Sequence, residues 1–296
     1  MTPKLCLGTA QFGQVYGITN TSGQVSEATV GKILAEAEKS GINWLDTAQA
    51  YGNAEAVLGH QLPTHHHFHL VSKLPAQSKP EFNTHDADIW EQSFFTSCQR
   101  LSVTSLDSLL LHSPADLSKP GGHHLEHWLL GLRERRLVKR LGISIYSAED
   151  LEMLNPALLD LVQLPLSLYD QRMLQDGTIN RLRSEGTTIH IRSVYLQGLL
   201  LTPAQKWPTW VNPQVRARQQ KLQELAEQRN CQLIDLALGF ARDQEEIDGV
   251  VLGICSVQEL TELTEAWSRR SPWIQNEWKN WALHDPIILD PREWPS

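Results

Sequence analysis

Apolar runs of strand length alternate with amphipathic segments of helix length along most of the chain. Leu5-Cys6-Leu7 ends at Gly8-Thr9, and a helix is expected from an N-cap at Ser26 to Ser40, with Val30, Ile33, Leu34 and Ala37 at helical spacing. Gly41 stops it, residues 43–46 read as the second strand, and residues 54–59 as the helix behind it. The pairing then repeats: 70–73 with 88–101, 106–111 with 125–136, and 140–144 with a short helix capped at Ser147 to Asp150. Further along, 161–164 pairs with 179–184. Strand 188–192 leads through a long loop (200–213) to helices over 214–230 and 233–242, and 250–252 meets a helix opened by the capping box Ser256-Val257-Gln258-Glu259.

Eight such units in one chain of 296 residues is the count of a (β/α)8 TIM barrel, an α/β fold, although a doubly wound sheet alternates in the same way. No composition shift, Gly/Ser linker or repeat marks a boundary, so one domain over 1–296 is expected. Its C-terminal extension, from about 271 to 296, carries Trp273, Trp278, Trp281 and Trp294 and is expected to pack on the barrel. Trp207 and Trp210 lie on the loop after the seventh strand, where a substrate lid and plain packing are both open readings.

Charge narrows the partners. Net charge is 26 − 34 = −8 with no long basic run, which argues against nucleic acid or an anionic membrane surface. The N-terminus lacks a charged region followed by an apolar core, and no apolar run reaches membrane-span length, so a cytoplasmic protein is expected. Cys6, Cys98, Cys231 and Cys255 are widely spaced, without a CxxC, and read as reduced thiols. His123 and His127 share a helix face, but without HExxH or a third ligand they read as a solvated face, and no metal is expected.

The candidate chemistry gathers at the carboxyl ends of strands, where α/β folds place it. Asp46, Lys73 and His112 each end a strand, and Tyr51 follows Asp46 on a loop. A capping aspartate and an exposed loop tyrosine would show the same spacing. If the four meet, the Asp compensates a buried Lys. The Lys cation then pulls the phenol below its usual pKa of about 10, so that it can protonate a carbonyl oxygen, and the His orients that oxygen. No nucleophile elbow, Rossmann GxGxxG or P-loop is present.

These residues and their surroundings resemble the aldo-keto reductase family. The matching stretches are LGTAQFG (7–13), GINWLDTAQAYGNAE (41–55), SKL (72–74), LDSLLLHSP (106–114), LGISIYS (141–147), VQLPLSLYDQR (162–172) and RSVYLQGLLL (192–201). The resemblance implies a barrel that binds NADPH or NADH and reversibly reduces a small-molecule carbonyl. It makes Tyr51 the proton donor, Lys73 the residue that lowers its pKa, Asp46 the partner of Lys73, and His112 the residue that orients the carbonyl. It places Ser144 and Gln163 at the nicotinamide carboxamide and Gly8, Thr9 and Ala10 near the nicotinamide, with Ser193, Gln197, Gly198 and Leu199 beside the pyrophosphate. Phe12, Trp207 and Trp210 fall where a substrate pocket would be lined.

The sequence departs from the pattern at three places. Ile145 replaces a second carboxamide-binding Asn. Arg192 stands where an aromatic stacks on the nicotinamide, and its guanidinium is read as stacking or contacting the pyrophosphate. After Gly253 the loop carries no cation; Ser256 offers a helix start to a phosphate, and Glu259 repels a 2′-phosphate. The family pattern favours NADPH and this loop favours NADH, so both stay open. So does a second class, a non-catalytic cofactor-sensing or partner-binding protein, and a more remote one, an unrelated barrel hydrolase or lyase. Nothing in the sequence bears on oligomeric state.

Overall fold

The computed structural model describes residues 2–20, 22–63 and 65–295. Eight parallel strands close in chain order into one barrel: β1 (Lys4–Gly8), β2 (Trp44–Asp46), β3 (His69–Leu74), β4 (Leu106–Leu111), β5 (Val138–Ser144), β6 (Leu161–Pro165), β7 (Thr188–Arg192) and β8 (Gly249–Gly253). β8 pairs back onto β1, with Cys6 opposite Val251. After the short α1 (Ala10–Gly13), helices α2 (Glu27–Lys39), α3 (Ala54–Gln61), α4 (Asp86–Arg100) and α5 (Gly122–Glu134) follow the first four strands in turn. The place of a helix after β5 is taken by two 3-10 turns. α6 (Arg172–Gln175) and α7 (Thr178–Ser184) follow β6, α8 (Pro213–Gln228) and α9 (Leu233–Arg242) follow β7, α10 (Val257–Ser268) follows β8, and α11 (Pro286–Leu289) lies in the tail.

The alternation of side chains along a strand decides what faces the barrel axis. Cys6, Trp44, Val71, Leu110 and Leu161 form a small apolar cluster, separate from the large one that lies between strands and helices. Two residues further along the same strands come Gly8, Asp46, Lys73, His112 and Gln163, so these share the inward face one layer nearer the carboxyl end of the barrel. Below the apolar layer, Arg140 and His69 bond to Asp107 at the amino end of the barrel. Trp44 there packs 4.7 Å from His69 and 4.9 Å from His190.

Local signals set most element ends. The Ser26 hydroxyl accepts from the Thr29 N–H and starts α2. Gly59, expected to end its helix, lies inside α3, which continues to Gln61; a Cβ there would sit 1.9 Å from the Arg100 carbonyl oxygen. Its absent side chain serves close helix packing rather than a stop. In the tail, Trp273 and Trp278 are buried, and the Trp273 indole N–H donates to the Leu236 carbonyl. All four cysteines are free, and no helix among the described residues is long and apolar enough to cross a membrane.

Candidate active site

β2, β3, β4 and the loop after β2 bring Asp46, Tyr51, Lys73 and His112 together at the carboxyl end of the barrel. Lys73 is 1% exposed and uses all three ammonium N–H groups: 2.8 and 2.7 Å to the two Asp46 carboxylate oxygens and 2.9 Å to the Thr47 carbonyl. Asp46 also accepts from the Gln163 side-chain amide at 2.7 Å. The Lys73 ammonium lies 5.1 Å from the centre of the Tyr51 ring, and the Tyr51 and His112 rings stand edge to face, 6.0 Å apart.

Two glycines fix the Tyr51 loop. Gly52 takes φ +56°, and a Cβ on Gly13 would fall 1.8 Å from the Tyr51 carbonyl oxygen. The LGTAQFG turn therefore seats directly on the tyrosine loop.

The Lys73 ammonium is held at hydrogen-bond distance by Asp46. Burial pushes the Tyr51 phenol up, Asp46 adds to the rise, and Arg192 pulls it down. The phenol is consequently held protonated. Burial, Lys73 and Arg192 together lower His112 to about 4, so its imidazole is neutral near pH 7.

The structure brings together some of the residues expected around a nicotinamide and separates others. Ser144 and Gln163 sit side by side on β5 and β6, both buried. Gln163 keeps a buried carbonyl oxygen with no hydrogen-bond partner among the described residues, which suits the N–H₂ of a carboxamide. Gly8, Thr9 and Ala10 lie at the end of β1, where the Thr9 hydroxyl donates to the Asp46 carbonyl. Ser193, Leu196 and Gln197 all take positive φ (60°, 48° and 53°), with Gly198 at 98° and Leu199 buried behind them. Such strain in non-glycine residues is concentrated at ligand-holding loops. Beyond Gly253, Ser256 caps α10 by accepting from the Glu259 N–H, and the Glu259 carboxylate accepts from the Cys255 N–H at 2.7 Å.

The three aromatics expected at a substrate pocket lie away from the cavity at the mouth. A cavity of about 580 Å³ opens at the mouth and is lined by His112, Ser113, Tyr146, Asp150 and Arg292 among others, and none of Phe12, Trp207 and Trp210 lines it. Phe12 is fully buried in the core. Trp207 is 4% exposed and its indole N–H donates to the Leu199 and Thr202 carbonyls, which fixes it as packing rather than a lid. Trp210 packs 5.6 Å from Trp294 of the tail. Conversely, Tyr146 and Arg292 were missed: Tyr146 lay inside the quoted LGISIYS, but nothing local marks a tail arginine as a neighbour of the mouth.

Residues 4–282 match the model of the aldo/keto reductase family. The chain belongs to that family. It is 24% identical over 282 residues to a D-arabinose 1-dehydrogenase of Saccharomyces cerevisiae, covering 86% of this chain and 80% of that one. Its fold is similar to that of an aldo-keto reductase from Bacillus halodurans (TM-score 0.73, 18% identity, 97% and 95% of the two chains). It is also similar to a glycerol dehydrogenase from Gluconobacter oxydans (TM-score 0.69, 19% identity, 94% and 90%). As an aldo-keto reductase the protein is an oxidoreductase, of a family that generally uses NAD(P)H on small carbonyl compounds.

Proposed function

We propose that this aldo-keto reductase reduces an aldehyde or ketone reversibly, with Tyr51 as the group that protonates the carbonyl oxygen. The observation that carries the reading is one cluster: a buried Lys73–Asp46 pair under the Tyr51 ring, with a neutral His112 against its edge. The hydride that such a reaction requires would come from reduced nicotinamide, when bound. Tyr51, kept protonated by burial, donates its O–H to the substrate oxygen as negative charge develops there. His112 hydrogen-bonds the same oxygen and fixes its direction. Lys73 and Asp46 hold the floor on which the tyrosine rests.

The residues proposed to hold the dinucleotide are Ser144 and Gln163 for the carboxamide, with Gly8, Thr9 and Ala10 beside the ring. Ser193, Gln197, Gly198 and Leu199 would run along the pyrophosphate, and Gly253, Ser256 and Glu259 would bound the adenosine end. The cofactor is NADH or NADPH. The Glu259 carboxylate at the α10 N-terminus favours NADH, since it already occupies a backbone N–H and repels a 2′-phosphate. Glu259→Lys is expected to shift the NADPH/NADH ratio of kcat/KM upward by roughly tenfold or more.

The deciding experiment is Tyr51→Phe, assayed by cofactor oxidation over a panel of aldehydes, ketones and sugars. A fall of roughly 10²- to 10⁴-fold in turnover with cofactor affinity unchanged is the expected result. Wild-type turnover in that variant refutes the role of Tyr51, and cofactor binding with no turnover in the native protein makes the barrel a sensor rather than an enzyme.

A further inference from the structure

Arg192 ends β7 as a half-buried cation, and its hydrogen bonds go only to neutral oxygens: the Ile145 carbonyl at 2.9 Å and the Ser193 hydroxyl at 3.3 Å. No carboxylate pairs with it among the described residues. A guanidinium has five N–H donors, so this one retains donors for an anion. Its direction is informative. Arg192 sits opposite Pro165 of β6, and its side chain crosses that strand to reach Ile145 and the Tyr146 ring beyond the end of β5. It therefore turns away from β8, whose following loop (Gly253 to Glu259) is proposed for the adenosine end.

On the β5 side lies the mouth cavity. Tyr146 and Arg292 line it; Arg192 is not in its lining but lies against the Tyr146 ring, 4.1 Å from the ring centre, with Arg292 at 3.5 Å. Arg292 is paired with Asp290 through Nε and Nη2. Asp150, the acid in the cavity wall, is held by the backbone N–H groups of Tyr146 and Ser147. Arg292 and Asp290 bond to each other and Asp150 is held by backbone N–H groups, so Arg192 is the guanidinium here with no carboxylate bonded to it among the described residues.

We propose that the carbonyl substrate carries an oxyanion, a carboxylate or phosphate, which Arg192 seats on the β5 side of the mouth with Arg292 at the rim. The inference rests on the reductase reading of the same site and reassigns Arg192 from cofactor to substrate. A planar guanidinium matches two oxygens of such a group at once, and a half-buried guanidinium bonded only to neutral oxygens retains donors for it. His112 lines the same cavity as Tyr146, the ring against which Arg192 lies.

The test compares wild type, Arg192→Gln and Arg192→Lys, each checked for folding by circular dichroism. Reduction of 4-carboxybenzaldehyde is set against benzaldehyde, and glyceraldehyde 3-phosphate against glyceraldehyde. Binding of benzoate is set against benzyl alcohol by tryptophan fluorescence, a readout that needs no turnover, and cofactor affinity is measured in parallel. Wild type should prefer one of the anionic aldehydes. Arg192→Gln should lose roughly 10- to 100-fold of that preference through KM, with benzoate affinity falling in step, Arg192→Lys retaining part of it, and cofactor affinity holding. The carboxylate and phosphate arms tell which oxyanion fits. Equal use of charged and neutral aldehydes, or weakened cofactor binding with the preference intact, overturns the proposal. If no aldehyde is reduced at all, the reductase reading falls, and the benzoate arm still decides Arg192: binding lost in Arg192→Gln supports it, and no binding by wild type overturns it. Should Arg192→Gln not fold, Arg192→Lys and Arg292→Gln carry the same comparison.

Discussion

Lys73 shows how little freedom a buried charge retains. Every N–H it owns is spent within the pair it forms with Asp46 and on the Thr47 carbonyl. Lys73→Met removes the counter-charge but leaves the Asp46 carboxylate, which is 4% exposed, with only the Gln163 amide as a side-chain partner. The expected cost is about 3–5 kcal/mol in denaturant unfolding, with Lys73→Met/Asp46→Asn closer to wild type than Lys73→Met alone. His190, buried inside the barrel against Trp44, gives a pH-dependent counterpart. Burial lowers it from 6.5 to about 4, so between those values the unfolded chain binds a proton that the folded chain does not. Stability from this group is therefore present above pH 6.5 and is lost as pH falls toward about 4; at pH 5 the loss is about 2 kcal/mol. Thermal melts at pH 7 and pH 5 should show a smaller acid loss in His190→Gln than in wild type.

At the scale of elements, the turn after β1 and the loop after β2 act as one part, because Gly13 and Gly52 let their backbones touch. Gly13→Ala should leave the barrel's far-UV spectrum intact while displacing Tyr51, costing about 1–3 kcal/mol in stability and at least roughly tenfold in turnover. α2 was legible almost to the residue, since a serine cap, helical apolar spacing and a glycine after the end are all local signals. Gly59 was misread because a glycine needed for close packing on Arg100 looks, in one dimension, like a glycine that ends a helix. The two loop tryptophans were ambiguous for a similar reason. Whether an indole faces substrate or core depends on which carbonyls await its N–H, and those of Leu199 and Thr202 belong to a turn that residue patterns did not reveal.

For the whole molecule, the tail meets the barrel at several places, among them Trp273 against α9, Trp294 against Trp210 and Arg292 at the mouth. Trp273→Ala removes a buried indole and its bond to Leu236, and should cost about 3–5 kcal/mol, read as a lowered denaturant midpoint. The alternation of strands and helices along the chain, and the placing of Asp46, Lys73 and His112 at strand ends, were determined by the sequence alone. A strand repeats every two residues and a helix every 3.6, and those periods are written locally. Only the tertiary structure decided that Gln163 bonds to Asp46 across the barrel, and that Arg192 leans across β6 toward Tyr146. A long side chain has many rotamers, and the one it adopts is chosen by partners that closure of the barrel and return of the tail bring near, from positions that sequence spacing does not relate.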